Sequence, residues 1–149
     1  LDDSYTFVSF KGNVQTVNVA GDAAVAEAAW PLVTAAEAKA GWRPGGYQPV
    51  ALHDKSGRIY VGMHPKGKEG SHKSPAKEIW AFDTASKKRI DRVPAHHATV
   101  IAASRGDAPR VFAYSTDKSS LAVFDASGKL KHLKTAAPFG ELATQLDVQ

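Results

Sequence analysis

The chain has 149 residues, 43% of them hydrophobic and 23% charged, with a formal net charge of +4. That is room for one domain with a hydrophobic core and an ordinary aqueous surface. It contains no cysteine, which excludes a disulfide scaffold and a thiolate metal site, and no apolar run is long enough to cross a membrane as a helix.

Strands organise the sequence. Ser4–Phe10 reads as a strand, Lys11-Gly12-Asn13 as a turn, and Val14–Val19 as its hairpin partner, closed by Ala20-Gly21-Asp22. Residues 23–40 are alanine-rich and favour helix by propensity, but Trp30-Pro31 interrupts a long one. The expectation there is a strand near 25–30, then a turn of helix or a loop. The Leu1-Asp2-Asp3-Ser4 start lacks a Met or a signal pattern and reads as a processed or cut end.

From Gln48 onward a four-strand pattern is expected. Strands at Gln48–His53, Arg58–Met63, Glu78–Asp83 and Lys88–Val93 are followed by Thr99–Ala103, Arg110–Tyr114, Leu121–Asp125 and Lys129–Leu133. Phe82-Asp83 and Phe124-Asp125 lie 42 positions apart, and each precedes a small polar turn and a basic strand. Ile59 and Val111 are 52 apart, the surplus falling in a loop over 64–77. Repeats of about 40–50 residues with four short strands mark propeller blades. A two-sheet sandwich also uses short strands, but it does not require the recurring Phe-Asp unit. The fold class is therefore all-β, a β-propeller of which this chain covers about three blades. Its expected layout is one domain over 1–149: a partial blade, two full blades and a closing strand near Leu142–Leu146. Such blades do not close a ring, so a remainder is expected. Trp80, Phe82, Phe112 and Phe124 are assigned to the core between blades.

No nucleophile elbow, phosphate loop or dinucleotide fingerprint is present. The six histidines, at 53, 64, 72, 96, 97 and 132, show no His-x3-His pair, which favours surface or hydrogen-bonded roles over metal ligation. No catalytic, cofactor-binding or metal residue is assigned. Two segments stand out. The 14 residues 64–77 carry Lys66, Lys68, Lys73, Lys77, His64 and His72, longer than an ordinary hairpin loop. No aromatic is interleaved to stack bases, which argues against nucleic acid. The loop is either solvated and free or a partner contact. The turn Trp42-Arg43-Pro44-Gly45-Gly46-Tyr47 carries the residue types that anchor interfaces, although its aromatics equally suit a cap on the core. The interface candidates are Trp42, Arg43, Tyr47, His64, Lys66, His72 and Lys73.

The run from Trp42 to Gln48, then His53, Ser56–Val61 and Met63–Lys73, carries a resemblance. It resembles the heavy subunit of aromatic amine dehydrogenase and, more distantly, of methylamine dehydrogenase, most strongly over residues 41–92. The resemblance implies a seven-bladed heavy chain in a heterotetramer of two heavy and two light subunits, in the periplasm. It implies that tryptophan tryptophylquinone resides in the light chain, with no cofactor in this one. It further implies oxidation of a primary, aromatic amine to aldehyde and ammonia, with electrons passed to an azurin- or amicyanin-like blue copper protein. A stand-alone propeller that binds protein or glycan is the alternative.

Overall fold

The structure is a computed structural model that describes residues 2–68 and 70–137. The closing strand expected near Leu142–Leu146 lies outside the described residues. Three antiparallel sheets follow one another along the chain.

The first sheet contains β1 (Asp2–Val8), β2 (Asn13–Ala20), β3 (Ala23–Ala26) and β4 (Trp30–Pro31). β2 is central and pairs with the other three, with Tyr5 opposite Val17 and Val14 opposite Trp30. The alanine-rich stretch therefore divides into two short strands and one helix. Helix α1 (Ala35–Lys39) starts at Thr34, whose hydroxyl accepts from the Glu37 N–H while the Glu37 carboxylate accepts from the Thr34 N–H. That reciprocal capping fixes the helix start, and the helix ends at Lys39, with Ala40 as its cap and Gly41 left-handed just beyond.

The second sheet is β5 (Arg43–Pro44) and β6 (Val50–His53), both on β7 (Arg58–His64), then β8 (Ala76–Asp83) and β9 (Lys88–Ala98). The third is β10 (Val100–Ala103), β11 (Arg110–Ser115), β12 (Ser120–Asp125) and β13 (Lys131–Ala136). The sequence repeat is a repeat of register. Ile59 faces Phe82 and Arg58 faces Asp83 in one sheet; Val111 faces Phe124 and Arg110 faces Asp125 in the next. Both aspartates then accept from a serine N–H in the following turn, Ser86 and Ser127.

The strand period of two distributes the core. On the middle sheet Ile59, Val61, Met63, Trp80 and Phe82 face the first sheet, where they meet Val14, Trp30 and Leu32. Tyr60, Ile79 and Ala81 face the third sheet and meet Ile101, Val111, Ala113 and Phe124. Because both faces of this sheet are covered, β7 is buried almost throughout, and its apolar residues run on without alternation. Phe112 is the exception among the assigned core aromatics, being only half-buried. The outermost β3 and β13 are exposed along their whole length. These are three successive blades of a β-propeller, packed face to face.

Polar staples join the blades. The buried His53 ring contacts the Ser56 hydroxyl at 2.8 Å and the Gly106 carbonyl at 2.9 Å. Because Nδ1 also accepts the Ser56 N–H, Nε2 is the nitrogen that donates across to the third blade. Arg58 donates to the Ala126 and Gly128 carbonyls at 2.6 and 2.9 Å. β6 and β10 lie side by side, joined by the Ile101 N–H to the Gln48 carbonyl at 2.7 Å.

Candidate functional site

Four connections gather at one end of the second and third blades: residues 40–49, the β7–β8 loop, the β9–β10 corner and the β11–β12 turn. The main chain holds them together. The Gly67 N–H donates to the Gly41 carbonyl at 2.8 Å, and the Gly46 N–H to the His72 carbonyl at 2.9 Å. The Tyr47 and Gln48 N–H groups both reach the Thr99 carbonyl, at 2.7 and 3.1 Å. Thr99 in turn donates its hydroxyl toward the Thr116 hydroxyl at 3.1 Å. The long loop is thus fastened to the turn before it, and two sequence candidates far apart in the chain form one face.

Pro44-Gly45-Gly46 permits this closeness. Gly46 sits at φ +117, and a Cβ there would come 2.5 Å from the Thr99 carbonyl oxygen. A Cβ on Gly45 would overlap the His64 ring and lie 2.7 Å from the Ser74 carbonyl. Only glycine fits either place.

The expected interface residues separate into three environments. Trp42 is half-buried: its ring lies 5.1 Å from that of Trp80, and the Arg92 guanidinium stands 5.1 Å over it. It caps the core between the first two blades. Arg43 is also half-buried, 5.0 Å over the Phe10 ring, whose edge meets His72 at 5.9 Å. Tyr47, by contrast, is 61% exposed. Lys66, His72 and Lys73 are exposed, with Lys66 held at φ +57.

His64 belongs to β7 rather than to the loop, and only 5% of it is exposed. Its Nε2 is buried without a hydrogen-bond partner. Burial and the nearby Arg43 charge push its pKa below the ordinary histidine value, against a hydrogen bond to the Pro65 main chain that would raise it. His64 lies beneath an open pocket of about 510 Å³ between the second and third blades. Lys66, Lys77, His97 and Asp117 stand round that pocket, with Ser71 and Ser74 on the loop side. Lys77 and His97 make one contact there, Nζ to Nε2 at 3.2 Å.

His97 and Asp117 escape sequence reasoning because nothing in a two-histidine step or a polar turn signals a pocket. The backbone gives the reason for their placement: His96 and His97 both take left-handed φ values, +52 and +63, where β9 turns the corner. Chemically the face offers ammonium, imidazole and hydroxyl donors and one exposed aromatic. Among the described residues, no group of three or more His, Asp or Glu is placed to hold a metal ion. The arrangement suits recognition of a partner.

The family model for the methylamine dehydrogenase heavy chain matches residues 4–144. The chain is 30% identical over 118 residues to the methylamine dehydrogenase heavy chain of Methylorubrum extorquens, covering 78% of this chain and 28% of that one. It is 34% identical over 86 residues to that of Methylophilus methylotrophus (57% and 21%) and 32% identical over 111 residues to that of Methylobacillus flagellatus (70% and 28%). The chain thus spans between about a fifth and a little over a quarter of the length of these relatives. This protein belongs to the methylamine dehydrogenase heavy-chain family.

Proposed function

We propose that this chain is part of the heavy, non-catalytic subunit of a periplasmic quinoprotein amine dehydrogenase. In this reading the propeller is a scaffold, and the face formed by residues 40–49 and the β7–β8 loop docks the light subunit. The light subunit carries tryptophan tryptophylquinone, which oxidises a primary, aromatic amine to aldehyde and ammonia and passes electrons to a blue copper protein. A second heavy chain completes the heterotetramer.

The observation that carries the reading is the family match along almost the whole chain, joined to a face that offers binding groups without a reacting pair. The chain's own tryptophans serve packing: Trp80 is fully buried and donates to Glu78 at 2.7 Å, and Trp30 lies in the same core.

The test is co-expression of the complete heavy subunit with its light subunit. A coloured, cysteine-rich small subunit should co-purify, and the complex should reduce a dye with an aromatic primary amine faster than with methylamine. A heavy chain that purifies alone and colourless would favour a stand-alone binding propeller. Faster turnover of methylamine would reassign the substrate.

A further inference from the structure

The geometry points to an oxyanion-binding pocket between the second and third blades, taking a carboxylate or phosphate group between Lys66, Lys77 and His97. Among the described residues, neither Lys66 nor Lys77 forms an ion pair. Lys77 instead directs its ammonium at the His97 Nε2, 3.2 Å away. An ammonium donates and cannot accept, so Nε2 is the acceptor and His97 is neutral with its proton on Nδ1. Burial, and then the charges of Lys77 and Lys118, hold the His97 pKa below its ordinary value, while Asp117 opposes them. Positive potential therefore dominates at the ring.

The site is built rather than incidental. Lys66 is fixed in a left-handed conformation, with its N–H on the Ala40 carbonyl at 3.2 Å and its neighbour Gly67 on Gly41 at 2.8 Å. Such backbone costs free energy and persists where its surroundings impose it. Ser71 is also set, its hydroxyl on the Lys68 carbonyl at 2.6 Å. Beneath them the His64 imidazole is buried with an unpartnered Nε2, a further polar group at the floor. Among the described residues of the lining, Asp117 is the one opposing charge; its carboxylate accepts from the Thr116 hydroxyl at 3.3 Å. The two lysines of the lining outweigh it. At about 510 Å³ the cavity accommodates a carboxylate or phosphate with its first waters.

The same chemistry has two sources: a free anion, or an acidic side chain of the docked light subunit. Only the second rests on the heavy-subunit reading. The first experimental arm titrates the complete heavy subunit calorimetrically with inorganic phosphate and with acetate. Lys77→Gln should weaken binding about tenfold, as expected for loss of one charge-assisted hydrogen bond. Asp117→Asn should tighten it. The second arm measures light-subunit dissociation for the same variants. If Lys77→Gln weakens anion binding and leaves subunit dissociation unchanged, the ligand is a free anion. If it speeds dissociation and phosphate competes with the light subunit, the ligand is a partner carboxylate. If no light subunit associates with wild type, the subunit reading fails while the first arm still decides the pocket. Unchanged binding in Lys77→Gln in both arms, or weaker binding in Asp117→Asn, overturns the proposal.

Discussion

Glu37 and Arg89 join the short helix to the outer strand of the next blade: Oε1 lies 2.8 Å from Nη1, while Oε2 of the same carboxylate accepts the Thr34 N–H. One side chain thus starts α1 and fastens it to β9. Arg92 extends the network, reaching Glu78 through two bonds at 2.7 and 2.9 Å, and both arginines lie over the Trp80 ring.

Burial alone would raise the Glu37 carboxyl, but its Thr34 and Arg89 partners outweigh it and hold the pKa below the ordinary value; Glu78 behaves alike through Arg92 and Trp80. A carboxyl depressed in the folded state adds stability that is complete above its unfolded pKa and is lost as pH falls through the folded one. The complete subunit should therefore lose stability below about pH 4, where unfolded glutamates titrate. Glu37→Gln should cost about 1–2 kcal/mol at neutral pH, combining cap and charged hydrogen bond. It should also flatten the acid limb of a melting-temperature profile. An unchanged acid limb would refute the role given to Glu37.

Gly45→Ala should destabilise by about 1–3 kcal/mol, the range for overfilling a packed site, because the new methyl overlaps the His64 ring. His64 itself is depressed, so its contribution is whole above the unfolded histidine pKa and declines as pH drops from there through the folded value. His64→Gln should remove that pH dependence while leaving the glutamate-driven limb intact. Denaturant melts at pH 5 and pH 8 separate the two.

Trp80→Ala should cost about 3–5 kcal/mol, as for buried aromatic truncations generally, since Trp80 is fully buried and its indole is one of the donors to Glu78. Phe112→Ala, at a half-buried position on β11, should cost visibly less. Equal losses in chemical denaturation would contradict the assignment of the core between the blades.

Tyr47 and Trp42 should behave oppositely. Tyr47→Ala should leave the melting temperature unchanged yet cost about 2 kcal/mol or more in light-subunit affinity, as a central aromatic anchor does. Trp42→Ala should lower stability first, because its ring belongs to the Trp80–Arg92 stack. Lys66→Ala should act mainly through the salt dependence of association. A Tyr47→Ala complex that dissociates like wild type would place the light subunit elsewhere.

Much of the fold is legible in the sequence because the Phe-Asp turns repeat and short strand-like segments flank each of them. The Ile59–Phe82 and Val111–Phe124 pairs show that the spacing reported register itself. Strand ends were less legible: β9 runs to Ala98 rather than stopping at Val93, and β13 begins at Lys131 rather than Lys129. The reason for β9 is its left-handed His96-His97 step, which lets a strand bend rather than end. The alanine-rich segment carried helix propensity, but β2 offered unpaired backbone at Val14–Ala20, and pairing took Ala23–Ala26 into the sheet. Of the face formed by residues 40–49 and the β7–β8 loop, the two segments are identifiable in the sequence, but their union is not. It depends on hydrogen bonds between main-chain groups, which leave no mark on residue type.

That union has an evolutionary meaning. The path of the β7–β8 loop is set by amides and by glycines at 41, 45, 46 and 67, while the exposed side chains of Lys66 and Lys73 project from it. Shape and specificity are thus under separate control. A lineage can exchange the projecting residues to suit a new partner while the platform keeps its form, and an engineer can do the same, grafting new contacts there with the glycines untouched.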